Sequence, residues 1–215
     1  MERFAVIFAV LMLLLSIDTL RSEAANKIHD PGERINDWNT ALQFLVDGNK
    51  RYVDDQTIAR DTNAKDRGIL KDGQKPFAVV VTCSDSRVAP EIYFDQKLGD
   101  IFVVRNAGNI SDTAALGSIE YAVGHLKAPL VVVVGHGNCG AVTGAFSGGE
   151  YPDNLQAVLN AIAPFVKDSK NAEEAILANI KGVCEQIREN KVVKEMEATV
   201  IGAYYDIVSG EVLFK

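Results

Sequence analysis

Three short apolar runs mark the middle of the chain, and each ends in polar or ionisable side chains. They are PFAVVVTC (76–83), IFVVRN (101–106) and PLVVVVGH (129–136). Continuous runs rich in β-branched residues, rather than alternating ones, predict strands buried on both faces. Upstream, ERINDWNTALQFLVDGNKRYV (33–53) carries Ile35, Trp38, Leu42, Leu45 and Val46 at helical spacing. That spacing predicts one long amphipathic helix. Residues 54–72 are polar and read as a linker. Between the second and third runs, SDTAALGSIEYAVGHLK (111–127) predicts a helix with Asp112 as its N-cap. Further helical stretches are expected over roughly 138–147, 154–168 and 171–190. The tail ATVIGAYYDIVSGEVLFK (198–215) reads as strand, Ser-Gly turn, strand.

Strands alternating with helices predict an α/β fold. The expected core is a central, mostly parallel sheet, about four parallel strands plus an antiparallel edge strand, flanked by helices. In such sheets sites form beyond the carboxyl ends of the strands. The first run ends at Cys83 and the third at His136, so chemistry is expected there.

The first residues follow a different pattern. MERF carries one arginine, AVIFAVLMLLLSI (5–17) is uncharged, and DTLRSEAAN turns small and polar. Thirteen apolar-rich residues are too few for a spanning helix, which needs roughly 20. They match the apolar region of a secretory signal, with cleavage expected after Ala24. Residues 1–24 are therefore expected to be a signal peptide, and 25–215 a single domain. The protein would be exported, periplasmic or secreted, with no stable membrane association after cleavage.

Charge narrows the partners. The chain has 215 residues and a net charge of −7, with 47% hydrophobic and 24% charged residues. No basic stripe suited to nucleic acid is visible. Three cysteines, Cys83, Cys139 and Cys184, are too few and too odd for a disulfide framework. Cys184 follows the apolar positions of NIKGVCEQIREN and reads as a core residue.

The chemistry gathers at the strand ends. VVVTCSDSRV places a thiol, a carboxylate and a guanidinium at Cys83, Asp85 and Arg87, and VVVVGHGNCGAV places His136 and Cys139 three residues apart. Two thiolates and an imidazole suit zinc better than magnesium or calcium. A structural zinc site usually closes with a fourth Cys or His. None is placed to do so here, since His29 lies near the amino terminus and His125 in mid-helix. The fourth place could hold water or Asp85. Arg87 can hold Asp85 through two parallel hydrogen bonds, which leaves the carboxylate ionised and off the metal.

CSDSRV followed by GHGNCGAV resembles the β-class carbonic anhydrases. The likeness extends through ALQFLVDGNKRYV, GQKPFAVVVTCSDSRV, GDIFVVRNAGNI, ALGSIEYAVGHL and IGAYYDIVSGEV, over most of the chain after residue 24. The resemblance implies one Zn2+ per chain on Cys83, His136 and Cys139. It implies that Asp85 and Arg87 form a gating dyad, with Asp85 on the metal only in a closed, inactive form. It also implies that Gln74, Phe102, Gly108 and Tyr121 line the substrate pocket, and that the protein is a homodimer or higher homo-oligomer. The implied reaction is reversible hydration of CO2 to bicarbonate and a proton by zinc-bound hydroxide. Zinc lowers the pKa of a bound water to about 7 in a carbonic anhydrase of the all-histidine type. Two departures stand out. Val80 occupies the place of a tryptophan that serves a non-catalytic bicarbonate site in some members. The loop NISDTAALGS is short, as in compact bacterial members.

The rival readings are a carbonyl sulfide or carbon disulfide hydrolase on the same scaffold, a non-catalytic zinc-binding homologue, and a nucleotide-binding α/β domain. Intact Asp85 and Arg87 weigh against the second. Neither GHGNCG nor NAGNIS is G-x-G-x-x-G, which weighs against the third.

Overall fold

A computed structural model describes residues 28–30, 32–58 and 63–215. The expected leader, residues 1–24, lies outside the described residues. In chain order the elements are α1 (Trp38–Val53), α2 (Ala64–Leu70), β1 (Ala78–Cys83), α3 (Pro90–Tyr93), β2 (Ile101–Asn106) and α4 (Thr113–Glu120). A wider turn of helix, Tyr121–His125, continues α4. Then come β3 (Leu130–His136), α5 (Gly140–Ser147), α6 (Asp153–Val166), α7 (Ala172–Glu189), α8 (Lys191–Glu195), β4 (Thr199–Tyr205) and β5 (Val212–Phe214).

Among the described residues five strands form one sheet, in the order β2-β1-β3-β4-β5. The first four are parallel and β5 runs antiparallel to β4, as the alternation of elements predicted. Successive side chains on a strand face opposite sides, and the two cores follow that rule. Val79 and Val81 of β1 and Val131 and Val133 of β3 pack with Ile119, Ile162 and Val183 on one side. Val80, Val132 and Val134 pack with Phe44, Leu45 and Phe94 on the other. β1 and β3 are buried along their whole lengths. Val80, the tryptophan position of some family members, is fully buried in the second core. Cys184 is buried as expected.

Four local expectations are corrected. Residues 33–37 precede the first helix instead of belonging to it. Asp37 accepts from the Thr40 backbone N–H at 2.8 Å and so starts α1 at Trp38. The buried face of α1 runs through Ala41, Phe44, Leu45 and Gly48, while Trp38 and Val46 face solvent. Gly48 permits this rotation, because a Cβ there would lie 1.7 Å from the Phe94 carbonyl oxygen. The stretch read as a linker contains α2, which opens on a capping box between Asn63 and Asp66. Finally, β2 is apolar but only partly buried, because it lies at the edge of the sheet.

Candidate metal centre

Cys83 ends β1, His136 ends β3, and Cys139 caps the start of α5. Parallel pairing of β1 with β3 brings the two strand ends side by side. The tight turn between His136 and Cys139 is closed by Asn138 in the left-handed region (φ +54°), which asparagine tolerates. The ligand atoms of Cys83, His136 and Cys139 lie within 4.8 Å of one another, and all three residues are buried. Tetrahedral zinc with bonds of about 2.0–2.3 Å holds its ligands roughly 3.3–3.8 Å apart, so a small contraction closes the site.

One atom tests whether a metal fits. His136 Nδ1 donates to the Gly137 carbonyl at 2.9 Å. That bond puts the ring's lone pair on Nε2, which is buried with no hydrogen-bond partner among the described residues. A buried acceptor left unpaired costs about 1–3 kcal/mol. Here it points among two thiols, the donor set zinc selects. Orientation of the ring by its second nitrogen is the usual device at metal-binding histidines.

The thiols are already biased toward binding. Cys83 is pulled down to about 4, first by the hydrogen bond from the Cys139 thiol, then by His136 and by the Gly108 N–H. Cys139 is pushed up, first by sharing its proton with Cys83 and then by burial. Gly108 N donates to Cys83 Sγ at 3.4 Å. Gly108 has φ +71°, and a Cβ would meet Ile162 Cδ1 at 2.5 Å, so only glycine brings this N–H to the sulfur. Asn179 holds the same turn by donating to the Gly108 carbonyl at 2.9 Å.

Asp85 stands beside the cluster. Arg87 donates to it from Nε to Oδ1 at 2.9 Å and from Nη2 to Oδ2 at 2.7 Å. This contact holds the Asp85 carboxyl well below the usual carboxylate range. Its Oδ2 lies 4.0 Å from His136 Nε2. The sequence left two positions open for Asp85, and the structure places it on Arg87. Sequence reading missed Arg105, which donates to the Cys83 carbonyl at 3.2 Å and the Asp85 carbonyl at 2.8 Å. The available signal was a lone arginine late in an apolar strand, in register with Thr82.

The other expected pocket residues divide. Gly108 touches the cluster. Gln74 and Phe102 line a hollow of about 550 Å³ at the opposite, amino end of β1 and β2, together with Leu70, Leu98 and Val103. Tyr121 lies on that side too, 6.2 Å from Phe102 between ring centroids and stacked on His125 at 5.1 Å. Within one chain these residues do not meet the metal ligands.

The family model described as carbonic anhydrase matches residues 78–212. A carbonic anhydrase of Mycolicibacterium smegmatis is 39% identical over 186 residues, covering 80% of this chain and 90% of the relative. Carbonic anhydrase 2 of Mycobacterium tuberculosis is 48% identical over 130 residues, covering 59% of this chain and 63% of its own. Among solved structures, a tetrameric β-carbonic anhydrase of Sordaria macrospora superposes with a TM-score of 0.63 at 28% identity, covering 69% of this chain and 84% of that one. A β-carbonic anhydrase of Aspergillus fumigatus gives 0.64 at 29% identity, covering 69% and 79%. The buried thiol–imidazole–thiol cluster at the carboxyl end of a parallel sheet and these likenesses agree: the chain belongs to the β-class carbonic anhydrases.

Proposed function

We propose that this chain catalyses the reversible hydration of CO2 to bicarbonate and a proton, with zinc held by Cys83, His136 and Cys139. The observation that carries this reading is Asp85 gripped by Arg87, which leaves three protein ligands and an open fourth place. That is the catalytic form of a zinc site. Bound there, zinc supplies a Lewis acid that lets water ionise near neutral pH. Asp85, kept ionised by Arg87, accepts a hydrogen bond and orients the attacking oxygen. Arg105 fixes the backbone on which Asp85 stands. Burial at the sheet end keeps bulk water from the Cys83 and Cys139 sulfurs.

The pocket is completed by a second copy. β1 is six residues long, so its ends lie roughly 16–20 Å apart. Gln74 and Phe102 therefore cannot reach their own chain's Cys83. β2 is an edge strand with Ile101, Phe102 and Val103 only partly covered, and such apolar edges invite pairing. Two copies of β2 paired antiparallel about a two-fold axis would set each Phe102 near the other chain's Arg105 and Asn106. Gln74, Phe102 and Tyr121 would then wall the partner's metal centre. A homodimer or higher homo-oligomer is the resulting proposal, supported by the tetramers of the Sordaria macrospora relative. Export on a leader over residues 1–24, to the periplasm or beyond, is supported by the uncharged run 5–17.

The test is stopped-flow CO2 hydration by zinc-assayed protein lacking residues 1–24, beside Asp85→Asn. Fast hydration with one zinc per chain, lost in the variant, is the expected result. No hydration with zinc fully bound would overturn the reading and turn attention to carbonyl sulfide and carbon disulfide.

A further inference from the structure

The segment ahead of α1 makes three tethers to the amino end of the sheet. His29 is fully buried, with Nδ1 2.7 Å from Asp100 Oδ1 and Nε2 donating to the Glu33 carbonyl at 3.1 Å. Its ring meets Phe44 and Phe77 edge-on, at 5.7 and 5.1 Å between centroids. Lys75 Nζ donates to the Gly32 carbonyl at 2.8 Å. Arg34 donates to the Leu126 carbonyl at 2.7 Å. The three anchor points sit one residue from Gln74, two from Phe102, and one from the end of the Tyr121–His125 turn.

Asp100 joins these walls to one another. Its carbonyl accepts from Phe77 N at 2.8 Å, and its Oδ2 accepts from Lys97 N at 2.7 Å. His29 thus clamps, by its carboxylate, the residue whose backbone carbonyl ties the start of β1 to the start of β2. Burying an aspartate is costly unless it is paired, and burial does push the Asp100 carboxyl upward despite His29. Spending a buried pair on a segment outside the sheet is unexplained by the core alone, which already holds Phe44 and Phe77.

We propose that His29 is a positioning residue for CO2 hydration: through Asp100 it sets Phe102 and the Gln74 loop where the partner's metal centre uses them. Lys75 and Arg34 are the lesser tethers of the same strap. The inference rests on the reading that these residues wall the partner's pocket. A pocket wall misplaced by about 1 Å can cost up to a hundredfold in rate.

The test is a double-mutant cycle on dimeric, zinc-loaded protein, with His29→Ala, Arg34→Ala and Gln74→Ala. Arg34 is exposed, so Arg34→Ala keeps the test alive if His29→Ala does not fold. Expected are one zinc per chain, unchanged mass, and kcat/KM roughly ten- to hundredfold lower for His29→Ala and a few-fold lower for Arg34→Ala. Little further loss is expected when either is added to Gln74→Ala, as for residues acting through one another. Wild-type kcat/KM in the strap variants, with only a lower Tm, would show a merely structural role and overturn the proposal. Full multiplication of the losses would overturn it too. If Gln74→Ala is itself kinetically silent, the composite-pocket reading fails and takes the proposal with it.

Discussion

Arg87 and Asp85 lie two residues apart and face each other through a two-point contact, at 2.9 and 2.7 Å. The carboxylate is thereby ionised throughout the working range, since its pKa is lowered chiefly by the Arg87 hydrogen bond. A depressed pKa means that the contact is lost only as pH falls through that low value. Asp85→Asn is therefore expected to lower kcat/KM by at least about a hundredfold, and by the same factor at pH 6 and pH 9. Stopped-flow hydration at both pH values checks this. A wild-type rate that appears only at alkaline pH would mean that Asp85 leaves Arg87 for the metal at neutrality.

Metal binding should release one thiol proton, not two. Cys83 is down at about 4 because the Cys139 thiol donates to it, while Cys139 is pushed up. At pH 8 the metal-free pair holds one proton between two sulfurs, and zinc displaces it. The bound state has fewer protons, so affinity rises with pH. With the second proton that a zinc-bound water gives up near neutrality, the expected slope of log K against pH is about 2 between pH 7.5 and 8.5. Titration calorimetry in buffers of differing ionisation enthalpy reads the proton count directly, and a count of three would contradict the shared-proton pair.

The three thiols should separate by reactivity. Burial pushes Cys184 up to about 11, so it reacts slowly with or without metal. Cys83 and Cys139 should be protected by zinc and become reactive, or oxidise to each other, once a chelator removes it. Counting free thiols in both forms checks this. Equal counts would show that zinc gives no protection.

Composite sites predict complementation between two damaged chains. In a mixed dimer of Asp85→Asn with Gln74→Ala, one site carries both lesions and the other carries neither. Purified mixed dimers should regain about half the wild-type rate. Activity no higher than the mean of the parent variants would place Gln74 in its own chain's site and contradict the antiparallel β2 pairing.

Asn49 offers a stability test remote from the metal. Its amide donates to the Tyr93 and Gly210 carbonyls at 2.9 and 2.8 Å and accepts from Val212 N at 2.8 Å. It joins α1, the end of α3 and the start of β5. Asn49→Ala leaves buried backbone groups unpaired and should cost about 3 kcal/mol, read as a lower denaturation midpoint with zinc content unchanged.

Much of this was legible in the residues alone. Continuous valine runs announced β1 and β3, because burial on both faces leaves no polar position. Cys83 and His136 were legible because each ends an apolar run, and Cys139 because it follows His136 by three residues; the combination of two thiols and an imidazole, not any one of them, pointed to a metal. Asp112 was readable as a cap because capping is local, and the Asp85–Arg87 contact was readable as one of two options because it spans two residues. What the sequence could not decide depends on distant partners. The buried face of α1 is set by Gly48 against Phe94, and the edge position of β2 by strand order. His29 and Asp100 are 71 residues apart, and no local pattern joins them. Gln74 and Cys83 are nine residues apart in the chain, yet an extended strand carries them to opposite ends of the sheet. Local propensity writes the elements and their caps; which elements meet, and so which residues share a site, is decided by packing across the whole fold.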